Sequence, residues 1–290
     1  MTIKIKKQSN HSYQPFIKWV GGKRGLLPDI ITSLPKNFNN YFEPFLGGGA
    51  VFFELYNRGL LDNKKIYLSD INEELINTYN TIKYTPLELI NNLKVFKEKH
   101  SKAFYYETRE LDRKENFKNM SNIDRATRFI YLNKTCFNGL YRVNKKGFFN
   151  TPIGSYTNPN IADETTILNA SEALQTATIS NYDFNYFAKN THKDDLVYFD
   201  PPYHPLTEKS NFTAYSENSF LEEEQFKLYE LFENLSEKKI KIIKSNSDTK
   251  FIKELYKKFY IHTVEARRSI NSKGNSRGKV NEIIIRNFND

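Results

Sequence analysis

The residues best suited to chemistry are Asp200-Pro201-Pro202-Tyr203, where the apolar run Leu196-Val197-Tyr198-Phe199 gives way to a carboxylate, two prolines and an aromatic ring. A carboxylate at a strand exit, in a loop stiffened by proline, can hold the hydrogens of an amine that is a poor nucleophile because its lone pair is delocalised into a ring. The exocyclic amino group of adenine is such an amine. Its methylation needs acceptors that draw both N–H bonds towards tetrahedral geometry and leave the lone pair aimed at a methyl donor. Asp200 and a nearby backbone carbonyl, that of Pro201, suit the two acceptor roles. Tyr203 suits stacking on a base flipped out of a duplex. The same four residues also make a sound strand-terminal turn with no catalytic meaning.

A second constellation is Phe42-Glu43-Pro44-Phe45-Leu46-Gly47-Gly48-Gly49, a glycine loop between strand and helix of the kind that lets a cofactor approach the backbone. It departs from the dinucleotide fingerprint, because counting from Gly47 the third glycine position is filled by Phe52. Asp70 ends the next strand, where a carboxylate binds ribose hydroxyls or caps the following helix; both readings stand. Near the start, Phe16-Ile17-Lys18-Trp19-Val20-Gly21-Gly22-Lys23 sets the only tryptophan beside two glycines and two lysines, which reads equally as a buried aromatic next to a turn. Arg142, Lys145 and Lys146 interleave with Tyr141 and Phe148, a mixture that grips phosphates and presses on bases or forms a solvated basic turn around Gly147. The basic stretch ARRSINSKGNSRGKVNE reads as a loop near a DNA backbone or as a silent solvated one.

These residues need elements to hold them. Leu26, Leu27, Ile30, Ile31 and Leu34 predict a short helix with Pro28 in its first turn and Pro35 closing it. YFEPFLGGGAVFFELYN predicts strand, glycine loop and helix, and KKIYLSD a second strand. From Ile71 the periodicity turns helical for about ninety residues, with capping boxes at Thr85-Pro86-Leu87-Glu88 and Ser121-Asn122-Ile123-Asp124. LVYFDPPY is a buried strand with its exit loop. A helix carrying Phe226, Tyr229, Phe232 and Leu235 follows a box at Ser219-Phe220-Leu221-Glu222, and IKIIKS and EIIIRN are further strands. The alternation predicts a doubly wound, Rossmann-like α/β sheet interrupted by a mainly helical module that contains a hairpin loop. Residues 1–72 and 163–290 are expected to form the sheet domain and 73–162 the inserted one.

A chain of 290 residues suits one large domain or a core with an insert, and 39% hydrophobic residues suffice to fill it. Lys and Arg exceed Asp and Glu by 43 to 34, a formal charge of +9, which favours a polyanionic partner. Cys136 is the only cysteine, which excludes an intramolecular disulfide and a cysteine-based zinc site and fits a reducing cytosol. No secretory leader or membrane span is read, so a cytoplasmic protein is expected. The five histidines lack metal-ligand spacing, and no metal is expected.

Together FIKWVGGK, FEPFLGGG, LSDIN and DPPY, in this order over nearly the whole chain, resemble the Dam family of DNA adenine methyltransferases, the α-class amino-methyltransferases, and look especially like its DpnM-type, GATC-modifying branch. The resemblance implies S-adenosylmethionine as methyl donor, held by Trp19, Lys23, Phe45, Gly47, Gly49, Asp70 and, within SNYDF, Asp183. Asp183 also reads as a loop cap. It implies that Asp200 to Tyr203 hold the adenine in double-stranded DNA, and that NKTCFNGLYRVNKKGFFNTPIGSY is the target-recognition hairpin. Within that hairpin Arg142 would read guanine, with Leu140, Pro152 and Tyr156 at other contacts and Lys18 reaching the outer guanine. PLTEKSNFTAYSENSF follows the family's pattern after DPPY. A cognate restriction endonuclease and a monomer or weak dimer are further expectations.

Three other functions compete. Cytosine-N4 methylation needs the same geometry on a smaller ring. A silent DNA-binding protein of the same fold would not need Asp200, and a Rossmann oxidoreductase would need the glycine spacing this loop lacks. Cys136 lies in none of the motifs, which argues against cysteine-nucleophile methylation of a ring carbon.

Overall fold

The computed structural model describes residues 12–187, 189–206, 220, 222–267 and 279–289. Ser219 and Leu221 of the third expected capping box, most of the PLTEKSNFTAYSENSF stretch and most of the basic ARRSINSKGNSRGKVNE loop lie outside the described residues. In chain order the elements are α1 (Leu27–Thr32), β1 (Tyr41–Glu43), α2 (Ala50–Asn57), β2 (Ile66–Ser69), α3 (Glu73–Tyr84), α4 (Pro86–Glu98), α5 (Lys102–Arg109), α6 (Asn122–Thr135), α7 (Glu164–Leu174), β3 (Ala177–Ser180), α8 (Phe184–Phe187), β4 (Leu196–Phe199), α9 (Glu222–Glu237), β5 (Lys241–Ser247), α10 (Lys250–Leu255), β6 (Tyr260–Arg267) and β7 (Lys279–Arg286). Their contacts fall into two compact units. One holds the described residues of Met1–Gly22, Gly47–Asp62 and Ile71–Asn181; the other holds Lys23–Leu46, Asn63–Asp70 and Tyr182–Asp290.

The second unit is built on strands in the order β2-β1-β4-β5-β7-β6. β1, β2, β4 and β5 run parallel, and β7 enters antiparallel between β5 and β6. β4 is buried at all four residues, as expected of a parallel strand covered on both faces. Its core joins Phe42, Val197 and Phe199 to Leu228, Phe232 and Leu235 of α9 and to Ile283 and Ile285 of β7. After β1 the chain pairs β2 on one side of it, then returns to place β4 on the other. The order therefore reverses between β1 and β4, and the crevice beyond their carboxyl ends is where such sheets bind ligands. Register does the rest: Phe199 pairs with Lys244, which puts the next residues, Asp200 and Ser245, level.

The first unit is largely helical. α3 packs on α6 and α7, and α4 on α6. Leu75, Ile76, Tyr79 and Ile82 form the buried stripe of α3, and Leu89, Ile90 and Leu93 that of α4. The start of α6 is capped as the sequence suggests, by Ser121 on Asp124, whereas α3 is capped by Asn72 on Leu75, a residue the sequence reading did not single out. The Thr85 box does not form: its hydroxyl donates back to the Thr81 carbonyl at 3.2 Å, while Pro86 does occupy the first turn of α4. The helical run also ends sooner than its periodicity implies, at Thr135. Residues 136–163 carry isolated bridges, Cys136 to Ile153 and Val143 to Phe149, around a tight turn at Asn144–Gly147.

Among the described residues no helix is long and apolar enough to cross a membrane. None of their His, Cys, Asp and Glu side chains form a group of three that could hold a metal ion.

Candidate active site

Asp200 emerges from β4 with its side chain 19% exposed. Its Oδ1 accepts from the buried Lys23 ammonium at 2.8 Å and from Ser245 Oγ at 2.9 Å. Its Oδ2 has no partner among the described residues. Burial pushes the Asp200 carboxyl above the usual aspartate range, and the Lys23 and Ser245 contacts oppose that rise. Ser245 also meets Tyr198 Oη at 3.0 Å, so the hydroxyl that steers the carboxylate is itself held.

The loop after Asp200 is pinned at several points. Pro202 O accepts from Gln225 Nε2 at 3.0 Å, and His204 O from Ser247 Oγ at 2.6 Å. Asn246 Oδ1 takes the His204 N–H at 3.1 Å. Buried Pro201 carries no hydrogen bond among the described residues, so its carbonyl stays available. Tyr203 is fixed at its far end, where its hydroxyl donates to Glu282 on β7 at 2.9 Å, and the Lys23 ammonium stands 4.5 Å from its ring centre. Burial and the nearby Asp200 charge raise the Tyr203 phenol well above its ordinary range, so it stays protonated and donating.

At the end of β1, Phe45 stacks on Phe184 at 5.4 Å and meets Phe199 and Phe220 edge-on, which gives an aromatic wall in the same unit. Asp70 follows β2 half-buried. The side chain that caps α3 is Asn72, whose Oδ1 accepts from the Leu75 amide at 3.0 Å. Asp183 is exposed and does cap, its Oδ1 accepting from the Asn185 and Tyr186 amides at 2.8 and 3.3 Å.

In the helical unit, Trp19 stacks on Tyr141 at 5.4 Å and on Phe129 at 6.2 Å, the three rings forming a cluster in which Phe129 and Tyr141 are 5.1 Å apart. Gly47 lies at φ +49°, and a Cβ there would stand 2.7 Å from Trp19 Cδ1; Trp19 and the glycine motif thus pack directly. Gly49, also left-handed, opens α2. Asn133 holds the Lys18 backbone on both sides, and the Lys18 ammonium reaches Tyr156 Oη at 3.2 Å. Arg142 is exposed and braced by Asn150, its Nε donating at 2.7 Å. Lys145 and Lys146 are exposed at the hairpin tip. Leu140 and Pro152 flank the hairpin base through their carbonyls, to Thr151 Oγ1 and the Phe137 amide. That base is clamped by Asp112, which accepts the Phe149 amide at 2.8 Å and pairs with Arg128 at 2.8 Å, both side chains under 10% exposed. Cys136 is buried beneath the hairpin, and burial pushes its thiol up to about 12.

Sequence reasoning missed Ser245, Asn246, Ser247, Gln225 and Glu282. Ser245, Asn246 and Ser247 had one signal, the polar run Lys244-Ser245-Asn246-Ser247 directly after Ile242 and Ile243 in the same strand, which calls for buried polar partners; Gln225 in α9 and Glu282 in β7 had none.

One unit carries an acidic, proline-stiffened loop at the switch point of a mostly parallel sheet, and the other, largely helical, carries a basic hairpin, features that fit a nucleic-acid-modifying α/β enzyme. The chain belongs to the D12 class N6 adenine-specific DNA methyltransferases, a family it matches over residues 19–270. It is 42% identical over 288 residues to the Type II methyltransferase M1.LlaDCHI of Lactococcus lactis subsp. cremoris, covering 99% of both chains. It is 40% identical to the Type II methyltransferase M.MjaIII of Methanocaldococcus jannaschii over 95% of this chain and 99% of the relative. The DNA adenine methylase of Escherichia coli K12 is 39% identical over 93% of each. The chain is therefore an adenine-specific DNA methyltransferase.

Proposed function

We propose that the protein transfers a methyl group from S-adenosylmethionine to N6 of an adenine flipped out of duplex DNA, within the sequence GATC, and that residues 200–203 hold the base. The observation that carries the reading is the division of acceptors at Asp200. Oδ1 is consumed by Lys23 and Ser245, which leaves Oδ2 and the Pro201 carbonyl as two acceptors for the two amino hydrogens. Hydrogen bonds to both draw electron density onto the nitrogen and orient its lone pair. Tyr203, tethered through Glu282, presents a fixed ring for the base.

The residues present suit the donor. Phe45 offers an apolar wall, Asp70 a half-buried carboxylate at the end of β2, and Asp183 an Oδ2 unused by its cap. With Trp19, Lys23, Gly47 and Gly49 they form the set proposed to hold S-adenosylmethionine, which when bound supplies an electrophilic sulfonium methyl. Segment 73–162 is proposed as the recognition module, with Arg142 reading guanine and Lys18, Leu140, Pro152 and Tyr156 as further contacts. The Type II names of two relatives suggest an endonuclease of the same site as partner.

The test is methylation of duplexes carrying GATC or single-pair changes of it, by the wild type and by Arg142→Ala. A bidentate arginine–guanine contact contributes about 1–3 kcal/mol, so the variant should lose about 5- to 150-fold of its preference while keeping its fold. Undiminished preference would remove Arg142 from the reading, and equal methylation of all duplexes by the wild type would remove GATC.

A further inference from the structure

The loop that carries the catalytic motif is held by a relay whose polarity is fixed at both ends by that same loop. Asn246 Oδ1 accepts the backbone N–H of His204 at 3.1 Å and of Ser247 at 2.8 Å. Backbone amides only donate, so the Asn246 side chain must turn its oxygen to them and its Nδ2 away. Nδ2 then donates to Gln225 Oε1 at 3.2 Å, where Lys244 Nζ also donates at 3.2 Å. With its oxygen claimed by two donors, Gln225 must present Nε2 on the other side, and there it meets Pro202 O at 3.0 Å. Every side chain in the relay is fully buried. The chain of donors starts at the His204 N–H, ends at the Pro202 carbonyl, and so brackets Tyr203.

We propose that Gln225 and Asn246 are positioning residues for methyl transfer: by engaging Pro202 O and His204 N they fix the backbone on both sides of Tyr203 and leave the Pro201 carbonyl facing the amine. This rests on the reading that residues 200–203 hold the adenine. Without the relay, the backbone on either side of Tyr203 loses its two side-chain tethers, and the loop samples arrangements in which the second acceptor is misaligned. Near-attack geometry is sensitive to shifts of an ångström, so the chemical step suffers more than binding does.

Gln225→Glu is nearly isosteric and keeps an oxygen for Lys244 and Asn246, but it replaces the donor to Pro202 O with a carboxyl oxygen and adds an ionisable group beside buried Lys244. Asn246→Asp breaks the other link, since it keeps an acceptor for the two amides but has nothing to donate to Gln225. The experiment measures the single-turnover methyl-transfer rate constant on duplex DNA and the dissociation constants of S-adenosylmethionine and DNA. It also follows the fluorescence of 2-aminopurine at the target position, with Asp200→Ala as reference. Each relay variant is expected to slow transfer tenfold or more, to change both dissociation constants less than threefold, and to alter the 2-aminopurine signal of the bound complex. Either folded relay variant transferring within twofold of wild type, while Asp200→Ala is inactive, overturns the relay. So does a loss that follows weakened cofactor or DNA binding with an unchanged 2-aminopurine signal. An active Asp200→Ala overturns instead the reading on which the relay rests.

Discussion

Gly47→Ala separates two costs that the structure allows to be worked out. Gly47 sits at φ +49°, where an L-residue loses about 1–2 kcal/mol. Its new Cβ would lie 2.7 Å from Trp19 Cδ1 and 2.9 Å from Nε1, well inside van der Waals contact. The indole packs against the paired Phe129 and Tyr141 rings, which limits how far it can give, and such overpacking costs about 1–3 kcal/mol. Together these give about 2–5 kcal/mol, or a Tm lower by about 4–10 °C at roughly 2 °C per kcal/mol for a chain of this size. Gly147→Ala is the control: φ is +77° but nothing lies within 4 Å of the added Cβ, so only the backbone cost of about 1–2 kcal/mol applies. The assay is denaturant and thermal unfolding of both variants, with emission from the single tryptophan as a local reporter. Gly47→Ala should be the less stable and should alone shift the native emission. Equal destabilisation with unchanged emission would refute the packing of Trp19 on the glycine motif.

Asp200 must be ionised to accept the amino hydrogen, and burial raises its pKa, so methyl transfer should fall with decreasing pH through an apparent pKa above the ordinary aspartate value of about 3.9. Lys23→Met removes the cation that opposes the rise and should move that acid limb to higher pH; a limb that stays or moves down contradicts the electrostatic account. For stability the sign is opposite to that of an ion-paired surface carboxylate: the native state binds this proton more tightly than the unfolded chain, so the contribution is full below the unfolded pKa and is lost as pH rises through the native one. Arg128→Ala strips one partner from a pair whose side chains are 5% and 9% exposed and should cost about 3–5 kcal/mol in denaturant unfolding. Arg128→Lys should not restore it, because Arg128 also donates to Thr108 O and Arg109 O. A loss below about 1 kcal/mol would mean that the hairpin base does not depend on this clamp. Cys136, with its thiol near 12, should resist thiol reagents in the folded protein at pH 8, and Cys136→Ala should keep full methyl transfer; rapid labelling or lost activity would contradict its burial or its silence.

What the sequence revealed follows the reach of local physics. β4 and its exit loop were legible because a short apolar run followed by Asp-Pro-Pro has one local meaning, and the capping box at Ser121 because its partners lie three residues apart. Thr85 had an equally local alternative, the carbonyl one turn back, and pattern alone does not rank the two. β6 was missed because, as an edge strand beside β7, it carries His262, Thr263 and Glu265 and no continuous apolar run. Asp70 was legible as a strand end, but only the position of Asn72 decided which residue caps α3. The relay through Gln225 and Asn246 was out of reach, since it joins residues 21 positions apart in sequence to a loop more than 20 positions from either. A buried polar side chain in a strand announces that it needs a partner without saying which.

The central claim is tested most directly by incubating the purified protein, and its Asp200→Ala variant, with S-adenosylmethionine labelled in the methyl group and duplex DNA, then digesting the DNA and identifying the labelled nucleoside by mass. Labelled N6-methyladenine from the wild type, and none from a variant shown to be folded, is the predicted result. Label on cytosine, or N6-methyladenine formed undiminished by Asp200→Ala, would contradict the account.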